Sequence, residues 1–224
     1  MPFENRLDAG RQLARALDRY KGDPVVVLAL PRGGVPIAAE VAATLYAPLD
    51  LVLVRKIGYP PQPELAMGAV VDGADPIIVR NEDVIRMTGV SEAEFDDVCK
   101  RELAEIERRR SRYLGSRAGI EIAGRTAIVI DDGLATGATM RAALRASRRR
   151  GARTIVLAVP VAPSDTLIEM RRDADEIVCL EEYEFFHAIG GYYSDFRQVT
   201  DEELIAILKR HPEPISTPNE KDMS

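Results

Sequence analysis

Two adjacent acids, Asp131 and Asp132, end an apolar run (Ala127 to Ile130) and are followed by Gly133, Thr136, Gly137 and Thr139. Neighbouring carboxylates accept hydrogen bonds from vicinal hydroxyls or hold a magnesium ion, and they repel a bare phosphate. The loop after them has the opposite preference. Its glycines let the backbone approach a ligand, its hydroxyls donate to phosphate oxygens, and a helix starting near Thr136 offers N–H groups without intrahelical partners. A sugar phosphate uses both halves, with its diol on the acids and its phosphate in the loop. Two other readings exist for the stretch alone: an ordinary strand, loop and helix with a threonine-rich cap, and a receiver-type phosphoacceptor aspartate. A receiver has no need of Thr-Gly-Ala-Thr directly after its acids.

Two more strand ends carry groups suited to anions. Pro31-Arg32-Gly33-Gly34 follows the run VVVLAL (25–30) and precedes an alanine-rich helix from about Val35. Arg32 has the one side chain there able to fork across phosphate oxygens; the competing reading is a solvated arginine on a tight turn. Arg55 and Lys56 follow a strand expected at DLVLV (50–54). The polar, proline-rich PPQPE after them is expected to be a mobile loop able to close over a site, with Glu64 as its acid. A surface loop without a role is the competing reading for Glu64.

Four apolar residues, Asp-Asp, then Ala-Thr-Gly-Ala-Thr (135–139) resemble the phosphoribosyl pyrophosphate (PRPP) motif of type I phosphoribosyltransferases. The resemblance runs from about Val25 to Leu180, and the R-K-x-G-x-x-P spacing from Arg55 is similar to adenine phosphoribosyltransferases. It implies an α/β, Rossmann-like wound, mostly parallel sheet with a small hood. It places Asp131 and Asp132 on the ribose hydroxyls and, directly or through water, on Mg2+ as cofactor. Ala135, Thr136, Gly137, Ala138 and Thr139 would wrap the 5′-phosphate, while Arg32, Gly33, Gly34, Arg55 and Lys56 would face pyrophosphate. The implied activity is transfer of ribose 5-phosphate from PRPP to a small-molecule acceptor, a nitrogen nucleophile such as a nucleobase in nucleotide salvage. Arg32, Lys56, Glu64, Asp131 and Asp132 form its catalytic set. Many purine-salvage relatives carry Asp before the Thr-Gly pair, where this chain has Ala135, so proton removal falls to Glu64 or is not needed. A PRPP-sensing regulator on the same fold is the reading from another class.

The elements that must position these groups follow from periodicity. Leu7, Leu13, Leu17 and Tyr20 share a face of an opening helix over 5–20. MGAVV and IIVR, joined at Asp72-Gly73-Ala74-Asp75-Pro76, predict a hairpin at the sheet edge. Ser91 and Glu94 form a capping box for a helix of about 24 residues ending near Gly115, an insertion in the minimal fold and a candidate homodimer contact. Its Arg108, Arg109, Arg110 and Arg112 are expected on a solvated face balanced by Glu102, Glu105 and Glu107. Met140, Ala143, Leu144 and Ser147 form a packing stripe with Arg141, Arg145, Arg148 and Arg149 outside. Strands at 154–162 and 176–180 enclose a helix from Pro163 to about Arg172, and this alternation implies a parallel sheet.

Residues 181–196 hold three of the five phenylalanines and three of the seven tyrosines. By the resemblance they are the hood, with Phe186, Tyr192, Tyr193 and Phe196 as candidates to stack on a base; the competing reading is a satellite packing cluster. A single domain is expected over 1–210, with the hood at about 181–200 joined by the N-terminal helix. A closing helix at 201–210 and a flexible tail at 211–224 complete the chain.

With 29% charged residues and a net charge of −6, no overall basic field draws the chain to nucleic acid or an anionic membrane. Cys99 and Cys179 lie far apart without a Cys-x-x-Cys, against a disulfide framework or zinc site. No apolar stretch reaches membrane-spanning length and the opening residues lack a signal-peptide core, so a cytoplasmic location is expected.

Overall fold

Runs of apolar residues without alternation must be covered on both faces, and the chain folds accordingly. The computed structural model describes residues 1–73 and 76–211. Strands β1 (Val25–Ala29), β2 (Leu49–Leu51), β6 (Thr126–Ile130), β7 (Thr154–Pro163) and β8 (Glu176–Tyr183) form a parallel sheet in the order β2-β1-β6-β7-β8. β1 and β6 are buried along their whole length. Val25, Val27 and Ala29 join one core with helices α1 (Arg6–Ala16), α2 (Gly34–Leu45) and α7 (Asp201–Arg210), whereas Val26 and Leu28 join a second with α5 (Ala138–Arg149) and α6 (Ser164–Met170). The register sets Ala29 opposite Ile130 and Ile130 opposite Ala158, so β1 and β6 end together at one edge, while β7 runs on beside β8 to Pro163.

The remaining strands, β3 (Val54–Tyr59), β4 (Gln62–Val71) and β5 (Ile77–Arg80), form a separate antiparallel sheet. It is followed by α3 (Glu82–Thr88) and by α4 (Glu92–Leu114), whose capping box at Ser91 and Glu94 is as read from sequence. Four expectations change. The strand expected at 50–54 stops at Leu51, and Val54 opens β3, because the chain leaves one sheet for the other at Val52-Leu53. Arg55 and Lys56 therefore lie inside a hairpin strand and not at the carboxyl end of a core strand. The loop expected at 60–64 is a tight turn at Pro60-Pro61, with Glu64 already in β4. The 67–80 hairpin pairs with β3 and not with the parallel sheet. Leu7 is 45% exposed, while Leu13, Leu17 and Tyr20 are buried. Ala74 and Asp75 of the expected turn, and the tail at 212–224, lie outside the described residues. Among the described residues no helix is long and apolar enough to cross a membrane.

The two sheets are tied together by a buried acid. Asp72, at the end of β4, accepts hydrogen bonds from the Leu53 N–H (2.8 Å) and from Arg110 Nη1 of α4 (3.0 Å), and is 4% exposed. Burial pushes its carboxyl up to about 6, against the lowering effect of Leu53 and Arg110. A folded-state value above the ordinary 3.8 means that the folded state holds the proton more tightly. The contribution of this group to stability is therefore complete below the ordinary carboxylate value and is lost as pH rises through about 6. Asp72→Asn is expected to remove this slope, worth at most about 3 kcal/mol, in urea midpoints measured against pH. An unchanged slope would locate the titration elsewhere.

Candidate active site

The edge where β1 and β6 end brings the two glycine loops into direct contact. The Leu30 N–H donates to Ile130 O (2.9 Å), and the Pro31–Arg32 peptide is cis. Gly33 and Gly34 then lie so close to the acid pair that a methyl group at 33 would fall 1.9 Å from Asp132 Oδ2, and one at 34 would fall 2.9 Å from Asp131 Cα. Asp131 Oδ1 accepts from the Asp132 N–H (2.8 Å). Past the acids, Leu134 N–H donates to Val161 O and the Thr166 hydroxyl donates to Ala135 O, both at 2.9 Å, which pins the loop to β7 and α6. Gly137 caps α5 at φ +69°, a conformation glycine adopts without penalty. Ala135, Thr136, Ala138 and Thr139 are exposed, so both hydroxyls and the opening of a helix of 12 residues face solvent.

The acids differ in their surroundings. Burial and the charge of Asp132 hold the Asp131 carboxyl well above the usual carboxylate range. Burial also raises Asp132, but the Arg6 guanidinium opposes that rise. Arg6 Nε and Nη2 both reach Asp132 Oδ2, at 2.8 and 2.7 Å. Nothing in the spacing of the sequence pointed to this partner, which lies on α1.

The structure brings Asp131, Asp132, Gly33, Gly34 and 135–139 together, but it gives the cations other partners. Arg32 Nη1 lies 3.5 Å from Asp201 Oδ1 at the start of α7, where Arg112 (3.0 Å) and the Tyr113 hydroxyl (2.9 Å) converge on the same carboxylate. Arg55 pairs with Glu102 (2.7 Å) and Lys56 with Glu64 (2.9 Å). These four residues line a cavity of about 490 Å3 with Tyr59 and Pro63, apart from the acids and their loop. The expected balance of the α4 arginines holds only for Arg108 and Arg109, which bind Glu105; Arg110 binds Asp72, and Arg112 binds Asp201 and Glu202.

The aromatic segment also divides. Phe186 stacks on Tyr192 at 5.0 Å between centroids, and both are half-buried. Tyr193 is buried, packs on Phe3 and donates its hydroxyl to the Asp132 carbonyl (2.7 Å). Phe196 lies under the Arg6 guanidinium at 3.9 Å. Phe185, passed over in the sequence, is 85% exposed.

Comparison with known proteins bears on the fold and the family. Residues 3–197 match the family model described as a phosphoribosyl transferase domain, a longer span than the motifs alone suggest. Two proteins from Mycobacterium tuberculosis strains, provisionally named as phosphoribosyl transferases, are each 49% identical over 208 residues. That alignment covers 93% of this chain and 46% of each relative, so the chain spans about half the length of the curated relatives it matches. The crystal structure of TT1426 from Thermus thermophilus is 40% identical, with a TM-score of 0.84, over 95% of this chain and 100% of that one. The wound parallel sheet and the match over nearly the whole chain thus place this chain in the phosphoribosyl transferase domain family, to which it belongs.

Proposed function

We propose that the chain binds PRPP and transfers its ribose 5-phosphate to a nitrogen nucleophile, a nucleobase, releasing pyrophosphate. One observation carries the reading: the Gly33-Gly34 pair packs against Asp131-Asp132 beside an exposed Thr-Gly-Ala-Thr loop at a helix start. Diol, 5′-phosphate and leaving group then have adjacent places. In the reaction the bond from the anomeric carbon to pyrophosphate breaks as a bond to the nitrogen forms. Positive charge develops on the sugar and negative charge on the leaving oxygen. The acids hold the sugar, and the Gly33 N–H stabilises the departing anion, while the Gly34 N–H is held by Leu30 O (3.1 Å). In this reading Arg32, Arg55 and Lys56 are released to the pyrophosphate from Asp201, Glu102 and Glu64.

Magnesium fits this site only as a companion of the donor. Among the described residues no group of three or more His, Cys, Asp or Glu side chains could hold a metal ion. Asp131 and the free oxygen of Asp132 supply the one or two carboxylates that magnesium uses when phosphate oxygens and water provide the rest. Bound there, the ion would offset charge on the leaving pyrophosphate. Asp131 and Asp132 would hold it, directly or through water.

Ala135 supplies no base, and Glu64, 91% exposed and held by Lys56, is the acid on the hairpin available to take the acceptor's proton. Radiolabelled PRPP with a panel of purine, pyrimidine and nicotinate-type acceptors is expected to give pyrophosphate release with one class. Tight PRPP binding with no release under any acceptor would favour a sensor instead. In the active pairing, Glu64→Ala is expected to lower kcat about 100-fold with donor affinity unchanged, the size of a lost general base. Unchanged turnover at every pH would remove Glu64 from the mechanism.

A further inference from the structure

Asp132 is held by a strap outside the donor motif. The Phe3 N–H donates to Tyr192 O (3.2 Å), the Ser194 N–H to Phe3 O (2.9 Å) and the Asp195 N–H to Glu4 O (2.8 Å), which joins the first residues to the segment after the aromatic loop. From one side of the strap Tyr193 donates to the Asp132 carbonyl. From the other, Arg6 places two nitrogens on Oδ2, gives Nη1 to Arg197 O (2.7 Å) and lies over the Phe196 ring. The Arg6 and Asp132 side chains are only 11% and 12% exposed. A guanidinium engaged on three sides and stacked on a ring has little freedom, and its planar fork fixes the carboxylate it grips. Asp132 Oδ1 takes no hydrogen bond from any described residue.

We propose that Arg6 is a positioning residue for the sugar: by engaging Oδ2 from the strap it fixes the rotation of Asp132, so that Oδ1 is presented to a ribose hydroxyl. The proposal rests on the PRPP reading. It also gives Tyr193 and Phe196 a task other than base stacking, since both hold the acid or its partner. Arg6 touches no part of the donor itself, and its effect passes through Asp132.

The test compares two ligands by calorimetry on the full chain, PRPP and inorganic pyrophosphate, well below the melting temperature of each variant. Arg6→Gln is expected to weaken PRPP binding about tenfold or more, the scale of a lost charge-assisted hydrogen bond, and to leave pyrophosphate binding unchanged, because pyrophosphate has no ribose. Arg6→Lys, which keeps the charge without the fork, recovers part of the loss. Phe196→Leu removes only the ring under the guanidinium and is expected to cost PRPP about threefold, within the range for an exposed to partly buried cation–π contact; it serves if the Gln variant does not fold. Equal loss for both ligands makes Arg6 a structural staple and overturns the proposal. Unchanged or tighter PRPP binding in Arg6→Gln also overturns it, since Arg6 would then be idle or would compete with the ribose. Failure of the wild-type chain to bind PRPP overturns the donor reading, and this proposal with it, before any variant is made.

Discussion

Gly33→Ala is expected to abolish measurable PRPP binding while leaving a folded protein. The added methyl group falls 1.9 Å from Asp132 Oδ2 and 2.5 Å from its Cγ, well inside contact distance. Gly33 has ordinary helical backbone angles (φ −61°, ψ −37°), so the restriction is one of space alone. The obstructing atoms belong to a side chain, but not a free one, because Arg6 holds the same oxygen. Relief requires either rotating Asp132 out of the Arg6 grip or lifting the Pro31-to-Gly34 loop, and either motion separates the groups proposed for ribose and pyrophosphate. Overpacking of this kind costs about 1–3 kcal/mol, which a chain of this size shows as a melting temperature lowered by several degrees. Gly34→Ala sets the contrast. Its methyl group meets Ile130 O at 2.6 Å and Asp131 Cα at 2.9 Å, both main chain in the central strand or directly after it. No side-chain rotation relieves that clash, so this variant is expected to lose more stability and fold poorly. Melting curves and PRPP calorimetry on both variants check the pair. Wild-type affinity in Gly33→Ala would mean that the loop contact is unrelated to donor binding.

The same contact shows where sequence is informative. β1, β6 and β7 are legible because their apolar runs do not alternate, which only a doubly covered sheet tolerates, and the loops after β1 and β6 are marked by glycine. The α4 start is legible because a capping box is a local device, complete within four residues. DLVLV misleads because Val52 and Leu53 are buried like their neighbours, while strand identity depends on which chain pairs with them, and the pairing changes there from β1 to β4. The density of aromatics at 181–196 is visible, but composition does not separate a stacking platform from packing. Only the fold reveals that Tyr193 bonds to Asp132 and that Phe196 supports Arg6. The Arg6 to Asp132 pair spans 126 positions and leaves no periodic or motif signal. Arg32, Arg55 and Lys56 show the same limit: residue type placed cations near strand ends, and geometry decided that each meets an acid first.

Asp131→Asn and Asp132→Asn are expected to share a loss of PRPP affinity and to move stability in opposite directions. Among the described residues no cation forms an ion pair with Asp131, and its amide counterpart keeps an oxygen for the Asp132 N–H. Because its carboxyl sits well above 3.8 in the folded chain, the folded state binds the proton more tightly than the unfolded state. Wild-type stability from this group is complete below the ordinary carboxylate value and falls as pH rises through the raised one. Asn at 131 has no such slope, so in metal-free buffer the variant should gain on wild type as pH rises above the ordinary carboxylate range. Asp132→Asn instead leaves a nearly buried guanidinium facing a neutral group. Severing a buried ion pair costs about 3–5 kcal/mol in general, but here the cost should be smaller, about 1–3 kcal/mol. Asn keeps an oxygen for Arg6, and the variant sheds the burial cost that already raises Asp132 against the pull of that arginine. Urea unfolding of both variants as a function of pH, beside PRPP calorimetry, separates the effects. An Asp131→Asn chain less stable than wild type at every pH would show that the charge on Asp131 supports the fold, and the division of labour between the acids would fail. If the division holds, the first acid is maintained at a cost in stability that only a ligand needing it explains, and the second is the point at which the N-terminal strap, the aromatic segment and the first glycine loop converge on the sugar.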